Sequence, residues 1–116
     1  MTASTNAAFT IHDAHDPEKY EPFELGQVQW VRRPGEGDRP ALSAGFWHVT
    51  TQEAPEPFDL VIHADETIHI IEGHLHIELE NGESFDLRPG SAASFNLGAK
   101  TKWTVVEDTT ELFVYS

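Results

Sequence analysis

The sequence predicts an all-β domain, either a sandwich or a barrel. From Gly26 onward, short runs rich in β-branched and aromatic residues alternate with clusters of Gly, Pro, Asn and Asp. This pattern is typical of strands joined by turns. No run of apolar residues keeps a helical spacing for more than about two turns. A chain with many strand signals and no helical stripe builds its core from packed sheets.

The strand signals predict about eight or nine strands. They span residues 27–32, 43–51, 58–62, 66–71, 74–80, 84–87, 92–96, 102–107 and 111–115. We expect turns at 34–37, 52–57, 72–73, 81–82, 89–90 and 108–109, where Gly, Pro, Asn or Asp residues cluster.

The length of the chain indicates one domain, because 116 residues can build one hydrophobic core but hardly two. Residues 1–25 are polar and acidic, and Pro17 and Pro22 interrupt them. We therefore expect residues 1–25 to form an N-terminal arm and residues 26–116 to form the domain.

The composition excludes several classes of partner and chemistry. The formal net charge is −13, so nucleic acids and anionic membranes would repel the chain, and we expect neither as a partner. Cysteine is absent, which rules out thiol nucleophiles, disulfides and Cys-ligated metals. No apolar run approaches the roughly 20 residues of a membrane-spanning helix, and the N-terminal residues lack an apolar signal segment, so we expect a cytoplasmic protein.

The segment 66–79 contains the first candidate functional residue, Glu66. A tight turn at 72–73 would fold this segment into a hairpin that pairs residue 70 with 75 and residue 68 with 77. Alternation then places Glu66 on the core face together with Ile68, Ile70, Leu75, Ile77 and Leu79. A carboxylate among aliphatic side chains is costly unless it is paired, protonated or coordinated, and burial should raise its pKa. Glu66 is therefore the candidate catalytic residue, acting by proton transfer.

Three histidines, His69, His74 and His76, share the opposite face of the predicted hairpin. His69 would lie across from His76, near the roughly 5 Å spacing at which two imidazoles can chelate a metal. Because this face points away from the core, we expect it to be a polar sheet surface or a subunit contact.

Glu66 and Gly73, separated by six residues, match the second half of the first cupin motif. Further matching features follow in order along the chain: Gly45-Phe46-Trp47, Pro57-Phe58, Asn81-Gly82, Pro89-Gly90, Gly98 and Trp103-Thr104-Val105-Val106-Glu107. Over residues 27–115 the sequence resembles the small cupin family related to ureidoglycine aminohydrolase and to an ethanolamine-utilisation protein. The resemblance implies a double-stranded β-helix, or jelly-roll barrel, with a ligand or metal site in one mouth. It also implies a homodimer.

The metal ligands of the wider cupin superfamily are mostly missing here. That superfamily has two His, one residue apart, shortly before the Glu, but the corresponding positions 60 and 62, or 59 and 61, hold no His. Thr101 stands where a second motif has a His, and Ser91 stands where an Asp is usual. Because one carboxylate binds a divalent ion weakly, we expect no cofactor beyond a weakly held divalent metal.

Around Glu66, the candidate ligand-binding residues are Trp47, His63, Thr101 and Trp103. The two Trp side chains and His63 would shape the pocket, and the resemblance places Thr101 near its mouth. The predicted function is the binding of a small polar metabolite inside the barrel. Two alternatives stay open: a metal-dependent aminohydrolase or lyase acting on a ureido or amino compound, and a non-catalytic accessory protein acting through its surface. Whether the chain is an enzyme is also open at this point.

Overall fold

The computed structural model describes residues 16–116 and two short strands before them. These strands, β1 (Ala3–Thr5) and β2 (Thr10–His12), pair antiparallel with each other. A 3-10 turn at Pro17–Lys19 follows. The other strands are β3 (Glu21–Pro22), β4 (Gln27–Arg32), β5 (Ser43–Val49), β6 (Phe58–Val61), β7 (Glu66–Leu79), β8 (Ser84–Leu87), β9 (Ala92–Phe95) and β10 (Lys100–Tyr115).

The two longest strands, β7 and β10, organise the barrel. They pair antiparallel from Thr101 opposite Leu79 to Tyr115 opposite Glu66. The first half of β10 also pairs with β6 and its second half with β5. Likewise, the first half of β7 pairs with β9 and its second half with β8. Each long strand thus has different neighbours at its two ends, which is the arrangement of a jelly roll, and the all-β prediction is confirmed.

The predicted hairpin within residues 66–79 is wrong. These residues form the single strand β7, and each half pairs with β10 instead of with the other half. The predicted turn at 108–109 is wrong for the same reason, because β10 continues through it. The register of β7 against β10 shifts between Val105 and Glu111. At a β-bulge of this kind a strand bends without reversing its direction.

Gly73 lies at the irregularity in β7. Its φ is +97°, and a Cβ atom there would lie 2.3 Å from the carbonyl oxygen of Asp108. Beside it, the backbone N–H of His74 donates a hydrogen bond to Thr109 Oγ1 (3.1 Å), which in turn donates to the carbonyl oxygen of Glu107 (2.8 Å). This close approach requires a glycine. Because a glycine of positive φ suits a bulge as well as a tight turn, the sequence signal is the same for both.

In the predicted hairpin, residues 66, 68 and 70 share one face with residues 75, 77 and 79. The bulge gives the same arrangement within a single strand, because its extra residue shifts the alternation of the side chains by one position. The predicted core residues Glu66, Ile68, Ile70, Leu75 and Ile77 are all 6% exposed or less, as expected, and Leu79 is half-buried. The rest of the core comes from the other strands and loops: Val28, Val49, Ala54, Ile62, Leu87, Trp103, Val105 and Phe113.

Residues 16–25, the described end of the predicted arm, lie against the barrel. The backbone N–H of Asp16 donates a hydrogen bond to Gln29 Oε1 (3.0 Å), and β3 pairs with β4. The ring of Phe23 meets that of Trp30 edge-on, with 6.0 Å between centroids. Apart from β1 and β2, the remainder of the predicted arm lies outside the described residues. Within the described residues, no helix has the length and apolar character needed to cross a membrane.

Candidate functional site

The barrel contains a cavity of about 170 Å³. Half of its lining residues are aromatic, three carry a carboxyl group and one carries an imidazole: Phe23, Glu24, Leu25, Trp47, Phe58, Leu60, His63, Glu66, Trp103, Glu111, Phe113 and Tyr115. Four predicted site residues, Trp47, His63, Glu66 and Trp103, therefore share this cavity. A concave, largely apolar space with a few polar groups is typical of small-molecule sites.

Glu66 begins β7 and lies between two paired strands, opposite Phe95 of β9 and Tyr115 of β10. Its side chain faces the core, and the residue is 6% exposed. Burial disfavours the charged form and raises the pKa of Glu66 from 4.5 to about 7. Near neutral pH the carboxyl group is therefore present in both forms, which is the condition for giving or taking a proton.

Glu111 is a second carboxyl group in the same cavity. It lies in β10, opposite Trp47 of β5 and Ile70 of β7, and is 1% exposed. Its Oε1 atom has no hydrogen-bond partner in the part of the chain that the structure describes. Burial and, secondly, the charge on Glu66 hold the pKa of Glu111 well above its usual range. A buried oxygen without a partner costs stability, so it requires an explanation.

His63 and Tyr115 form another part of the lining. His63 is exposed, and its ring packs against that of Tyr115 with 5.2 Å between centroids. Tyr115 in turn contacts Phe113 at 5.0 Å. Burial raises the pKa of Tyr115, and the charges on Glu66 and Glu111 add to this effect. The structure thus brings His63 to the cavity of Glu66, where its imidazole can meet a ligand.

Trp103 is the centre of the aromatic wall. It is 2% exposed, and its ring lies about 6 Å from those of Trp47, Phe58 and Phe95. Its Nε1–H donates a hydrogen bond to Thr101 Oγ1 (2.7 Å), which donates to the carbonyl oxygen of Leu60 (2.7 Å). Thr101 is not among the residues that line the cavity. Its hydroxyl group contacts the indole of Trp103 and holds that ring in place.

The residues of the barrel do not fit a cupin metal centre. Of the expected cupin ligands only Glu66 is in place, and His63 lies nearby on the lining. Across residues 16–116, no three His, Asp or Glu side chains lie close enough together to hold a metal ion. Tight binding of a divalent ion requires several ligands placed in advance.

The three outer histidines do not form the pair predicted for them. His69 lies opposite Ala92 and Leu112, whereas His76 lies opposite Asp86 on β8. His74 Nε2 and His76 Nδ1 both contact Asp86 Oδ1, at 2.7 and 3.1 Å. These two hydrogen bonds lower the pKa of Asp86. The expectation of His69 across from His76 is wrong because it depended on the hairpin that β10 replaces.

The sequence interpretation missed Glu111, Phe113 and Tyr115, which line the cavity from β10. A signal was available, because residues 111, 113 and 115 alternate and so share one face of a strand, as Glu66 and Ile68 do. Phe23, Glu24 and Leu25 were also missed, since they fall in the predicted arm.

The comparisons with known proteins agree on the fold. Residues 41–111, more than half of the chain, match the EutQ-like cupin domain. No curated protein matches the sequence. Among solved structures, a putative ethanolamine utilization protein Q from Salmonella typhimurium is similar, with 19% identity over 98% of this chain and 91% of that chain and a TM-score of 0.74.

Two further solved structures are similar over part of their length. The EutQ protein of Clostridium difficile shares 20% identity over 77% of this chain and 65% of that chain, with a TM-score of 0.63. The iron(II) form of HppE in complex with substrate shares 15% identity over 77% of this chain and 52% of that chain, with a TM-score of 0.64. Identities this low show a common fold. They do not show a common chemistry, because the chemistry depends on the residues of each individual site. The match to the family model is more specific than these structural likenesses, and by that match the chain belongs to the EutQ-like cupin family.

Proposed function

We propose that this cupin binds a small polar metabolite in the barrel cavity, with Glu66 as its principal polar group. The observation that carries this proposal is a carboxyl group at 6% exposure on the lining of an aromatic cavity. Such a group destabilises the fold relative to an apolar side chain of similar size. A requirement for ligand binding accounts for its presence, because functional sites commonly sacrifice stability.

Within this proposal, the other cavity residues have distinct roles. Trp47 and Trp103 form the walls, and the exposed His63 contributes a polar group at the opening. Thr101 acts as a positioning residue, because its hydroxyl group holds the indole of Trp103. Where the bound molecule reacts, Glu66 transfers the proton, since its pKa of about 7 allows both directions near neutral pH. This chemistry needs only the chain's own acid–base groups.

The test is a ligand-observed NMR screen of polar fragments with about four to eight non-hydrogen atoms, a size chosen because a void of about 150 Å³ holds benzene. The library should contain neutral, anionic and cationic fragments. Each hit is measured again on Glu66→Gln and on Glu107→Gln. The second variant removes an exposed carboxyl group from the outer side of β10 and serves as a matched control.

We expect hits on the wild-type protein that persist with Glu107→Gln and are lost with Glu66→Gln. Hits that bind Glu66→Gln unchanged would remove Glu66 from the site. An absence of hits on the wild-type protein would refute the proposal and favour an accessory role that uses the outer surface.

We also propose that the chain forms a homodimer. Among residues 16–116, six large apolar side chains are exposed on the single chain: Phe23, Val61, Ile71, Phe85, Leu97 and Val106. Contact with a second copy would remove part of this surface from water. Analytical ultracentrifugation should give twice the chain mass of 13.0 kDa. A species with the mass of a single chain at micromolar concentration would contradict the proposal.

A further inference from the structure

The charged groups that line the cavity are all acidic. Glu24, Glu66 and Glu111 contribute carboxyl groups, and no Lys or Arg is among the described lining residues. Wherever these carboxyl groups are ionised, an anionic ligand would meet like charges, and no Lys or Arg of the lining would compensate them. In an enclosed site such repulsion is screened much less than at the surface.

The two tryptophans of the wall offer ring faces instead of hydrogen-bond donors. Trp47 Nε1 donates to the carbonyl oxygen of Leu25 (2.7 Å), and Trp103 Nε1 donates to Thr101 Oγ1 (2.7 Å). Both indole N–H groups are thus occupied by the protein. The remaining π faces attract a cation, and Trp is the aromatic side chain with the strongest attraction of this kind.

Glu111 provides an independent indication of a ligand. The residue is 1% exposed and lines the cavity, and its Oε1 atom has no hydrogen-bond partner among the described residues. An oxygen in this position is satisfied when a donor enters the cavity. A donor that also carries positive charge would form the stronger, charge-assisted type of hydrogen bond.

We propose that the occupant of the cavity is a small organic ammonium ion, whose N–H groups donate to the carboxyl groups of Glu66 and Glu111 while its carbon atoms contact the aromatic wall. This inference rests on the proposed function and specifies the chemical class of its ligand. The cavity volume of about 170 Å³ suits a molecule of about six non-hydrogen atoms.

Binding of such a cation should be linked to proton release. Burial raises the pKa of Glu66 to about 7, and burial together with the charge on Glu66 raises that of Glu111 further. The empty site therefore holds protons near neutral pH, and an ammonium ion replaces them. The other titratable groups that face Glu66 across the cavity are Glu24, His63 and Tyr115. Affinity for the cation should increase as the pH rises through about 7.

The test compares three probes of nearly equal size by isothermal titration calorimetry: n-butylammonium chloride, butan-1-ol and sodium butyrate. We expect only butylammonium to bind. Repeating the titration at pH 6.5 in two buffers of different ionisation enthalpy should reveal release of protons. Glu111→Gln, which keeps the side-chain shape, should weaken butylammonium binding about tenfold or more. Glu107→Gln should leave it unchanged.

Comparison of the three probes on the wild-type protein requires no variant to fold. Binding of butanol or butyrate as tightly as butylammonium would overturn the ammonium inference, and so would an unchanged affinity in Glu111→Gln. The proposed function would survive either result if the binding probe were lost in Glu66→Gln. Failure of all three probes to bind would also overturn the ammonium inference. The proposed function would then be decided by the result of the fragment screen.

Discussion

Glu66 of β7 and Glu111 of β10 line the same cavity, and the charge on Glu66 raises the pKa of Glu111. The two residues are 45 positions apart in the sequence, and the pairing of the long strands brings them into one site. Two buried carboxyl groups that influence each other titrate as a coupled system. The titration of these two groups is therefore the property through which the site can be examined most directly.

The coupling predicts that Glu66→Gln lowers the pKa of Glu111, because it removes one of the two causes of the shift. Burial remains, so the pKa should still lie above the usual value for a glutamic acid. Side-chain carboxyl ¹³C shifts, followed by NMR as a function of pH, measure this directly. Glu107→Gln is the control and should leave the Glu111 titration in place. An identical Glu111 titration in wild type and Glu66→Gln would show that the two groups do not interact.

The raised pKa of Glu66 predicts that the fold becomes less stable as the pH rises from about 4.5 to about 7. Between these values the folded state binds more protons than the unfolded chain, so the free energy of unfolding decreases with pH. The loss due to this group is on the order of 3 kcal/mol, since one pKa unit corresponds to about 1.4 kcal/mol.

Urea unfolding of wild type and Glu66→Gln at pH 5 and pH 8 measures the contribution of Glu66 together with its coupling to Glu111. The neighbouring titratable groups are Glu24, His63, Glu111 and Tyr115. The wild-type protein should lose more free energy of unfolding than the variant over this interval. Equal losses would mean that Glu66 has an ordinary pKa in the folded state.

Glu111→Leu should stabilise the protein. The substitution removes a buried oxygen without a hydrogen-bond partner and places an apolar side chain of similar volume among aromatic residues. We expect a gain of about 1 kcal/mol or more in the free energy of unfolding. Glu107→Leu, on the exposed side of the same strand, should change the stability by less than about 0.5 kcal/mol. A loss of stability in Glu111→Leu would show that the carboxyl group makes favourable contacts in the empty protein.

Gly73→Ala should destabilise the fold by about 3 kcal/mol, because the new methyl group would meet the backbone of Asp108 and the φ of +97° is strained for alanine. Gly82→Ala provides the control. Gly82 has a similar φ of +91°, but no atom lies within 4 Å of the added Cβ, so the cost should be about 1 kcal/mol. Thermal unfolding measures the loss of stability in both variants. Equal losses would show that the close approach of β7 and β10 at Gly73 does not add to the effect of the substitution.

Thr101→Val should cost about 1 to 3 kcal/mol, because the buried N–H of Trp103 loses its acceptor. The variant keeps the shape of the side chain, so packing changes little. Thr104→Val, on the half-buried outer side of β10, should cost less. Chemical unfolding followed by Trp fluorescence compares the two. A neutral effect of Thr101→Val would indicate that the hydroxyl group does not hold the indole.

Much of the architecture was predictable from local sequence. Short runs of β-branched and aromatic residues located the strands, and the turns at 81–82 and 89–90 are observed where Gly, Asn and Pro residues indicated them. Alternation placed five residues of β7 on the face that is buried: Glu66, Ile68, Ile70, Leu75 and Ile77. These features depend on nearest neighbours along the chain, and a single sequence contains that information.

The site itself depended on contacts between distant segments. The sequence alone determined an acidic all-β domain with a buried Glu66 and aromatic walls, because strand propensity and alternation are local properties. The course of β10 along the whole length of β7 became evident only in the folded molecule, since a glycine of positive φ is compatible with a turn and with a bulge. The pairing of β10 with β7 separated His69 from His76 and placed Glu111 in the cavity with Glu66.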